Sequence, residues 1–312
     1  MKAYLVGALP RPETLIKTYR DFAKKRISPD VLQRELEKVS RMYIEVQEKA
    51  GLSYILDGML AWNDLLRPFA SSLENVEING LSRWFDNNFF YKRPLVQGRI
   101  RVKDEIDRSI FFHHLVDETK RKIVLPEPYC FARLSENHYY KKLDEFVMDA
   151  VDALADFVEK VGPFSQIQMS SPSLVFEDVT LSELEISKEA VAVFRKKTKK
   201  ELFLHLPFGS SAKYLEILRD FDVDVLGIDL YKTPVETLKG LEVDKALYVG
   251  VLDGRNTLLE DVSDVVSMLR KVERMTRMVD IHFGPNCELE HLPSEYALKK
   301  IVLLGDVLKQ VG

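Results

Sequence analysis

Residues 83–94 read Arg-Trp-Phe-Asp-Asn-Asn-Phe-Phe-Tyr-Lys-Arg-Pro, with five aromatics, three amide or carboxylate side chains and three cations in twelve positions. Aromatic walls with a few placed polar groups suit a flat, partly charged ligand or a partner surface. Trp84, Asp86, Asn87, Asn88, Tyr91 and Lys92 are therefore candidate binding residues. The same stretch also reads as a β-hairpin whose aromatics only cover a barrel mouth, and composition does not separate the two readings. A second cluster, Asp253-Gly254-Arg255-Asn256, joins an acceptor, a planar cation and an amide around a glycine that permits a tight turn. It suits a carboxylate-bearing or pterin-like ligand, or equally a turn that satisfies itself. Glu127, Asp57 and Asp64 are candidates for acid–base work, since burial raises a carboxyl pKa. The competing reading pairs such carboxylates with Arg11 or Arg255.

Metal and nucleophile chemistry are less well supported. His205, Asp229 and Cys287 would give Zn²⁺ three ligands and an open position, but no H-x-C or C-x-x-C pair anchors the set. Pro207 stands two positions after His205. No metal site is assigned, and this trio is kept as the weaker alternative. Ser170 or Ser171 with His205 and Asp229 has the chemistry of a hydrolase triad, yet no G-x-S-x-G elbow occurs. Neither G-x-x-x-x-G-K nor G-x-G-x-x-G is present, so no phosphate loop is expected.

These residues need a frame. Short apolar runs at 3–7, 54–57, 123–126, 166–170, 202–206, 223–229, 247–252 and 279–283 have strand length. Between them lie segments of helical period at 15–50, 139–161, 188–197, 212–221, 259–275 and 295–311. Pro29 and Asp30 divide the first of these into two helices, with Ser28 as N-cap. Eight strands alternating with helices predict an α/β fold, a single (β/α)8 TIM barrel over residues 1–312. A long insert after strand 2, residues 60–121, reads as a helix followed by an antiparallel β-hairpin excursion over the barrel top. Chemistry in such barrels sits at the C-terminal strand ends. That rule gathers Arg11, Asp57, Asn63, Asp64, Glu127, Ser170, His205, Asp229, Asp253, Arg255, Asn256 and Cys287 at one mouth.

The bulk numbers narrow the classes. Apolar residues make up 46% and charged ones 30% of 312, enough to bury a sizeable core. Lys and Arg total 45 against 49 Asp and Glu, a net −4 that offers no pull toward nucleic acid or an anionic membrane. No run approaches 18 apolar residues, so no membrane span is expected. Two cysteines make no disulfide framework, and the chain opens without a basic, apolar leader. A cytoplasmic protein is the expectation.

Several segments together resemble one family. Trp84-Phe85-Asp86-Asn87-Asn88-Phe89-Phe90-Tyr91 with Pro94 resembles the W-F-D-T-N-Y-H-Y…P signature in the N-terminal barrel of cobalamin-independent methionine synthase. Gly250-Val251-Leu252-Asp253-Gly254-Arg255-Asn256 is similar to its G-V-V-D-G-R-N. Cys287-Glu288-Leu289-Glu290-His291-Leu292-Pro293 is similar to its C-S-L-L-H-V-P, and Val6-Gly7-Ala8-Leu9-Pro10-Arg11 to its opening V-G-F-P-R. Gln168-Met169-Ser170-Ser171-Pro172 sits where that barrel reads Q-I-D-E-P-A-L. The resemblance runs from the first strand to the last helix.

That family pairs two (β/α)8 barrels. The C-terminal one carries zinc, the homocysteine site and the chemistry; the N-terminal one helps hold the folate tail and braces its partner. The resemblance implies that this chain is an N-terminal-type barrel standing alone. It also implies altered positions: the H-x-C of the catalytic barrel reads His205-Leu206-Pro207, and the zinc-binding Glu falls near Asp229. The H-G-E glutamate appears as Asp57-Gly58-Met59, the aspartate of I-D-E-P as Ser170, and the serine of I-G-S as Ala8. The expectation is a protein of methionine biosynthesis that acts as an accessory subunit. It would help position a folate or pterin-type methyl donor for a separate zinc-bearing catalytic barrel, and would hold no cofactor of its own. A methyl carrier protein is the other partner considered. The alternative is an autonomous zinc-dependent methyltransferase built on His205, Asp229 and Cys287.

Overall fold

The computed structural model describes residues 1–176, 178–242, 244–277 and 280–312. The main sheet runs through β1 (Lys2–Ala3), β4 (Lys122–Pro126), β6 (Gln166–Ser170), β7 (Glu201–Leu206), β8 (Val225–Asp229), β9 (Ala246–Leu252) and β10 (Ile281–Pro285). All its pairings are parallel, in the order β1-β10-β9-β8-β7-β6-β4. The expected second strand is not a strand. Tyr54 and Ile55 make one parallel bridge each, to Tyr4 beside β1 and to Arg121 before β4, so they link the two edges of a curled sheet. The backbone turns away after so few residues because Gly58 (φ 92) and Met59 (φ 53) take left-handed conformations. The first strand is shorter than expected, and the expected start of the last one at Val279 lies outside the described residues.

Helices α1 (Glu13–Ala23), α2 (Pro29–Lys49), α4 (Pro128–Leu134), α5 (Leu143–Val161), α6 (Leu181–Lys197), α7 (Leu215–Leu218), α8 (Val262–Met275) and α9 (Ser294–Val311) connect the strands. Ser28 does precede α2, but its side chain makes no capping bond, and Pro29 at the first turn sets the start instead. Helix α6 begins seven residues earlier than its periodicity suggests. A reciprocal capping box between Thr180 and Glu183 holds that start.

The insert contains α3 (Arg67–Ser71) and an antiparallel pair, β2 (Val76–Arg83) with β3 (Phe90–Val96), as expected. It gains a partner from outside the expected bounds. The short β5 (Glu136–Asn137) pairs parallel with β3, making a small mixed sheet. Apolar side chains bury on both faces of the main sheet. One cluster lies between the sheet and the helices, and a smaller one of Tyr4, Val6, Phe203, Val225, Ala246 and Tyr248 fills the inside of the curl. Among the described residues no helix is long and apolar enough to cross a membrane.

Candidate functional site

The turn between β2 and β3 lies across the C-terminal ends of the main strands. Trp84 is buried there, and its Nε1 donates to Glu288 Oε1 at 3.2 Å. His291 Nε2 stands 3.6 Å from the same oxygen, an ion pair rather than a hydrogen bond. Phe89 presents its ring edge-on to His291 at 4.5 Å. Phe85 stacks on Phe208 and meets Phe176 edge-on at 5.1 Å. Both stacked phenylalanines hold left-handed backbones, Phe85 at φ 48 and Phe208 at φ 72. Each such non-glycine costs about 1 kcal/mol or more and persists only where packing fixes it. The turn therefore grips loops that follow β6, β7 and β10.

Asp86 closes the grip on the loop after β9. Its Oδ1 accepts from an Arg255 terminal nitrogen at 3.0 Å. Gly254 beside it is needed for close approach: a Cβ there would lie 2.8 Å from Cys287 Sγ. Asp253 accepts from the Arg255 N–H at 2.9 Å, and Asn256 from the Leu258 N–H at 3.0 Å. Within the chain the cluster thus satisfies its own turn and pins the hairpin.

Other expected site residues also make bonds within the fold. Arg11 donates to the Leu60 and Trp62 carbonyls at 2.8 and 2.6 Å and to Asn63 Oδ1 at 3.4 Å, with Tyr19 under its guanidinium. Asp64 accepts from the Leu66 and Arg67 N–H groups at the start of α3, pairs with the Arg67 side chain, and accepts from the Lys92 N–H of β3. Tyr91 is buried and donates to the Leu134 carbonyl, while Asn88 accepts from Arg83 at 3.1 Å. Asn87 is buried, and its carbonyl accepts from Arg83 Nε. Glu127 accepts from two N–H groups that open α4 and from the Ser171 and Ser187 hydroxyls, at 2.9–3.0 Å. Burial raises its pKa against those four bonds. Asp57 is likewise raised by burial while it accepts from the Met59 and Phe112 N–H groups.

The zinc trio does not assemble. Among the described residues no group of three or more His, Cys, Asp or Glu side chains is placed to hold a metal ion. Asp229 accepts from Tyr231, Asn286 and Phe208, with burial pushing its pKa up to about 6. His205 lies 3.4 Å from Gln168 through Nδ1, and burial, then the Lys122 charge, drop its pKa to about 3. Burial pushes the Cys287 thiol upward. These residues do not fit zinc.

Sequence reasoning missed Glu288, Glu290 and His291 as site residues, although they lie inside a quoted motif. Burial raises the Glu288 carboxyl, but the His291 ring and its charge outweigh that and hold it below the ordinary value. Glu290 behaves oppositely: burial, then the Glu288 charge, push it up to about 7. Near the C-terminal strand ends lies a small, partly open cavity of about 30 Å³. Its walls include Val6, Gly7, Ala8, Met59, Asp64, Ser170, Glu288 and Glu290. Gly7 lets Glu288 in, since a Cβ there would sit 2.7 Å from the glutamate's own Cβ. A water needs roughly 10–15 Å³ of such space, so the cavity takes two or three waters and no amino acid.

Residues 69–277 match the cobalamin-independent synthase N-terminal domain. The chain belongs to that family. It is 23% identical over 306 residues to a methionine synthase of Sulfolobus acidocaldarius, covering 96% of this chain and 88% of that protein. It is 25% identical to a methionine synthase of Saccharolobus solfataricus, covering 98% and 93%. The fold matches a B12-independent methionine synthase from Shewanella sp. W3-18-1, solved with selenomethionine, at a TM-score of 0.75 and 17% identity over 99% of this chain and 98% of that one. A methyltransferase from Methanosarcina mazei shares it at a TM-score of 0.62 and 11% identity, over 98% and 94%.

Proposed function

We propose that this chain is an accessory barrel of a split methionine synthase. In this reading the curled sheet closes through Tyr54 and Ile55 as an eight-stranded barrel. A separate catalytic barrel holds zinc and homocysteine and transfers the methyl group. One observation carries the proposal. Ala8, Met59 and Ser170, which the family resemblance aligns with substrate positions, line a cavity of only about 30 Å³ together with Trp62, Glu288 and Glu290. A cavity that small has no room for an amino-acid substrate.

The hairpin's outer side is left to serve the partner and the donor. Phe90 is 53% exposed, and the Lys92 and Arg93 side chains are exposed beside it. Those cations attract the carboxylates of a folate or pterin-type donor, while Arg255 stays with Asp86. Trp84 and Tyr91 brace the hairpin from below.

Methionine formation by the purified catalytic barrel, assayed with and without this chain, tests the reading. A several-fold rise with the chain present, lost in Lys92→Glu/Arg93→Glu, is expected. Equal rates would refute it. Zinc analysis of protein prepared without chelator addresses the autonomous enzyme: substoichiometric metal, unchanged by His205→Ala, is the expected result.

A further inference from the structure

A groove of about 520 Å³ opens between the loop after β9 and helix α8. Its apolar lining includes Tyr231, Leu258, Leu259, Val265 and Met268. Leu258 is 74% exposed, Tyr231 47% and Leu259 42%. Its charged lining is Glu260, Asp261 and Asp264, and no Lys, Arg or His contributes.

The loop that displays these leucines is fixed from behind. Lys300 of α9 is fully buried and donates to the Leu258 carbonyl at 2.9 Å and to both Glu260 oxygens at 2.8 Å. Glu260 also accepts from the Asp253 N–H and the Tyr231 hydroxyl, and Asn256 holds the Leu258 N–H. A buried lysine is costly unless every donor is matched, so the fold commits a demanding ion pair to this loop. Every one of those bonds to residue 258 uses its backbone. A serine or lysine would hold the same loop without exposing a leucine. Folding does not account for the choice of side chain; a preformed apolar contact does.

Charge selects the occupant. Lys300 neutralises Glu260, and Asp261 caps α8 through Ser263, where the helix dipole takes up part of its charge. Asp264 is left facing solvent at the groove edge. We propose that this groove docks a partner-protein segment that seats an apolar side chain between Lys or Arg residues. The site is independent of the accessory-barrel reading, since its lining shares no residue with the cavity that carries that reading.

Fluorescence anisotropy with the full chain tests this using two synthetic amphipathic peptides that share leucine anchors. One carries lysine flanks and its twin carries glutamate flanks. At low salt the lysine peptide should bind about tenfold tighter, as expected for rim charges. Leu258→Ser/Leu259→Ser should abolish binding, and Asp264→Lys should invert the preference. Circular dichroism checks that both variants fold, which the exposure of these side chains leads us to expect. Equal binding of the twins, no binding of either, or indifference to Leu258→Ser/Leu259→Ser would overturn the proposal. So would sedimentation showing that the groove instead seats a second copy, with a dimer that the double variant dissolves.

Discussion

The two ends of the curled sheet both carry buried polar groups, yet they are built differently. At the N-terminal ends of the strands the partners come mainly from the strands themselves. Glu201 accepts from Gln166 at 2.7 Å and Tyr54 at 2.8 Å, with Lys2 at 3.3 Å. Tyr4 and His282 share a hydrogen bond of 2.8 Å, and Lys122 donates to the Leu5 carbonyl beneath the Tyr4 and Phe203 rings. At the C-terminal ends the partners come from loops and from an insert that reaches over them: Trp84 to Glu288, Asp86 to Arg255, Lys92 to Asp64. The lower network is fixed by register. The upper one depends on a hairpin being in place, which is where a family can change function without disturbing its sheet.

The largest expected effect asks whether the hairpin belongs to the same cooperative unit. Trp84→Ala removes a buried aromatic and should cost about 3–5 kcal/mol in urea unfolding, as core Trp truncations do. A loss below about 1 kcal/mol, far under that range, would make the hairpin a detachable cover rather than part of the core.

The two ends should also answer pH with opposite sign. Burial raises the Glu201 carboxyl, but the Gln166 and Tyr54 bonds outweigh it and leave it depressed. Its contribution is present above the unfolded pKa and lost as the solution is acidified. Glu290 is raised from 4.5 to about 7. Its contribution is complete below 4.5 and lost as pH climbs through about 7. Glu290→Gln should therefore flatten the decline of stability above pH 4.5 and leave the variant more stable at pH 8, by up to about 3 kcal/mol. Denaturant melts at pH 4 and 8 would show it. A variant that loses stability equally at both would mean the carboxylate is stabilised in the mouth, not strained there.

The same contrast decides what the sequence could reveal. Strand and helix alternation was legible because short apolar runs and period-3.6 patterns are local, and so was the antiparallel insert. The upper site was legible as contiguous motifs, 84–91, 250–256 and 287–293, whose members meet in space. The direction of their side chains was not. Whether Arg255 faces a ligand or Asp86 depends on a contact 169 residues away. The lower network was invisible for a related reason. Lys2, Tyr4, Tyr54, Lys122, Gln166, Glu201 and His282 are scattered singly through apolar runs, and only the parallel register aligns Lys122, Gln166 and Glu201. The edge strand at 136–137 was missed because two residues carry no period at all.

A smaller effect probes that hidden network. Tyr4→Phe keeps the ring and deletes the hydroxyl, leaving His282 Nδ1 buried without its partner. A cost of about 1–2 kcal/mol is expected, the usual penalty for an unmatched buried group. No change would mean that the lower network is held by shape rather than by its hydrogen bonds.

The smallest effect separates a clamp from a ligand site. The Arg255–Asp86 pair has side chains 31% and 39% exposed, so solvent screens it and Arg255→Ala should cost less than about 1 kcal/mol. A double-mutant cycle with Asp86→Ala should return a coupling of that same order, because the two groups meet mainly each other. Were Arg255 instead the anchor for a donor carboxylate, Asp86→Ala would free it and donor affinity would rise. With Arg255 serving only as the hairpin's clamp, Asp86→Ala and Arg255→Ala should change donor affinity together and in the same direction, through the hairpin they both hold. Titration of the donor into the two single variants reads that sign directly.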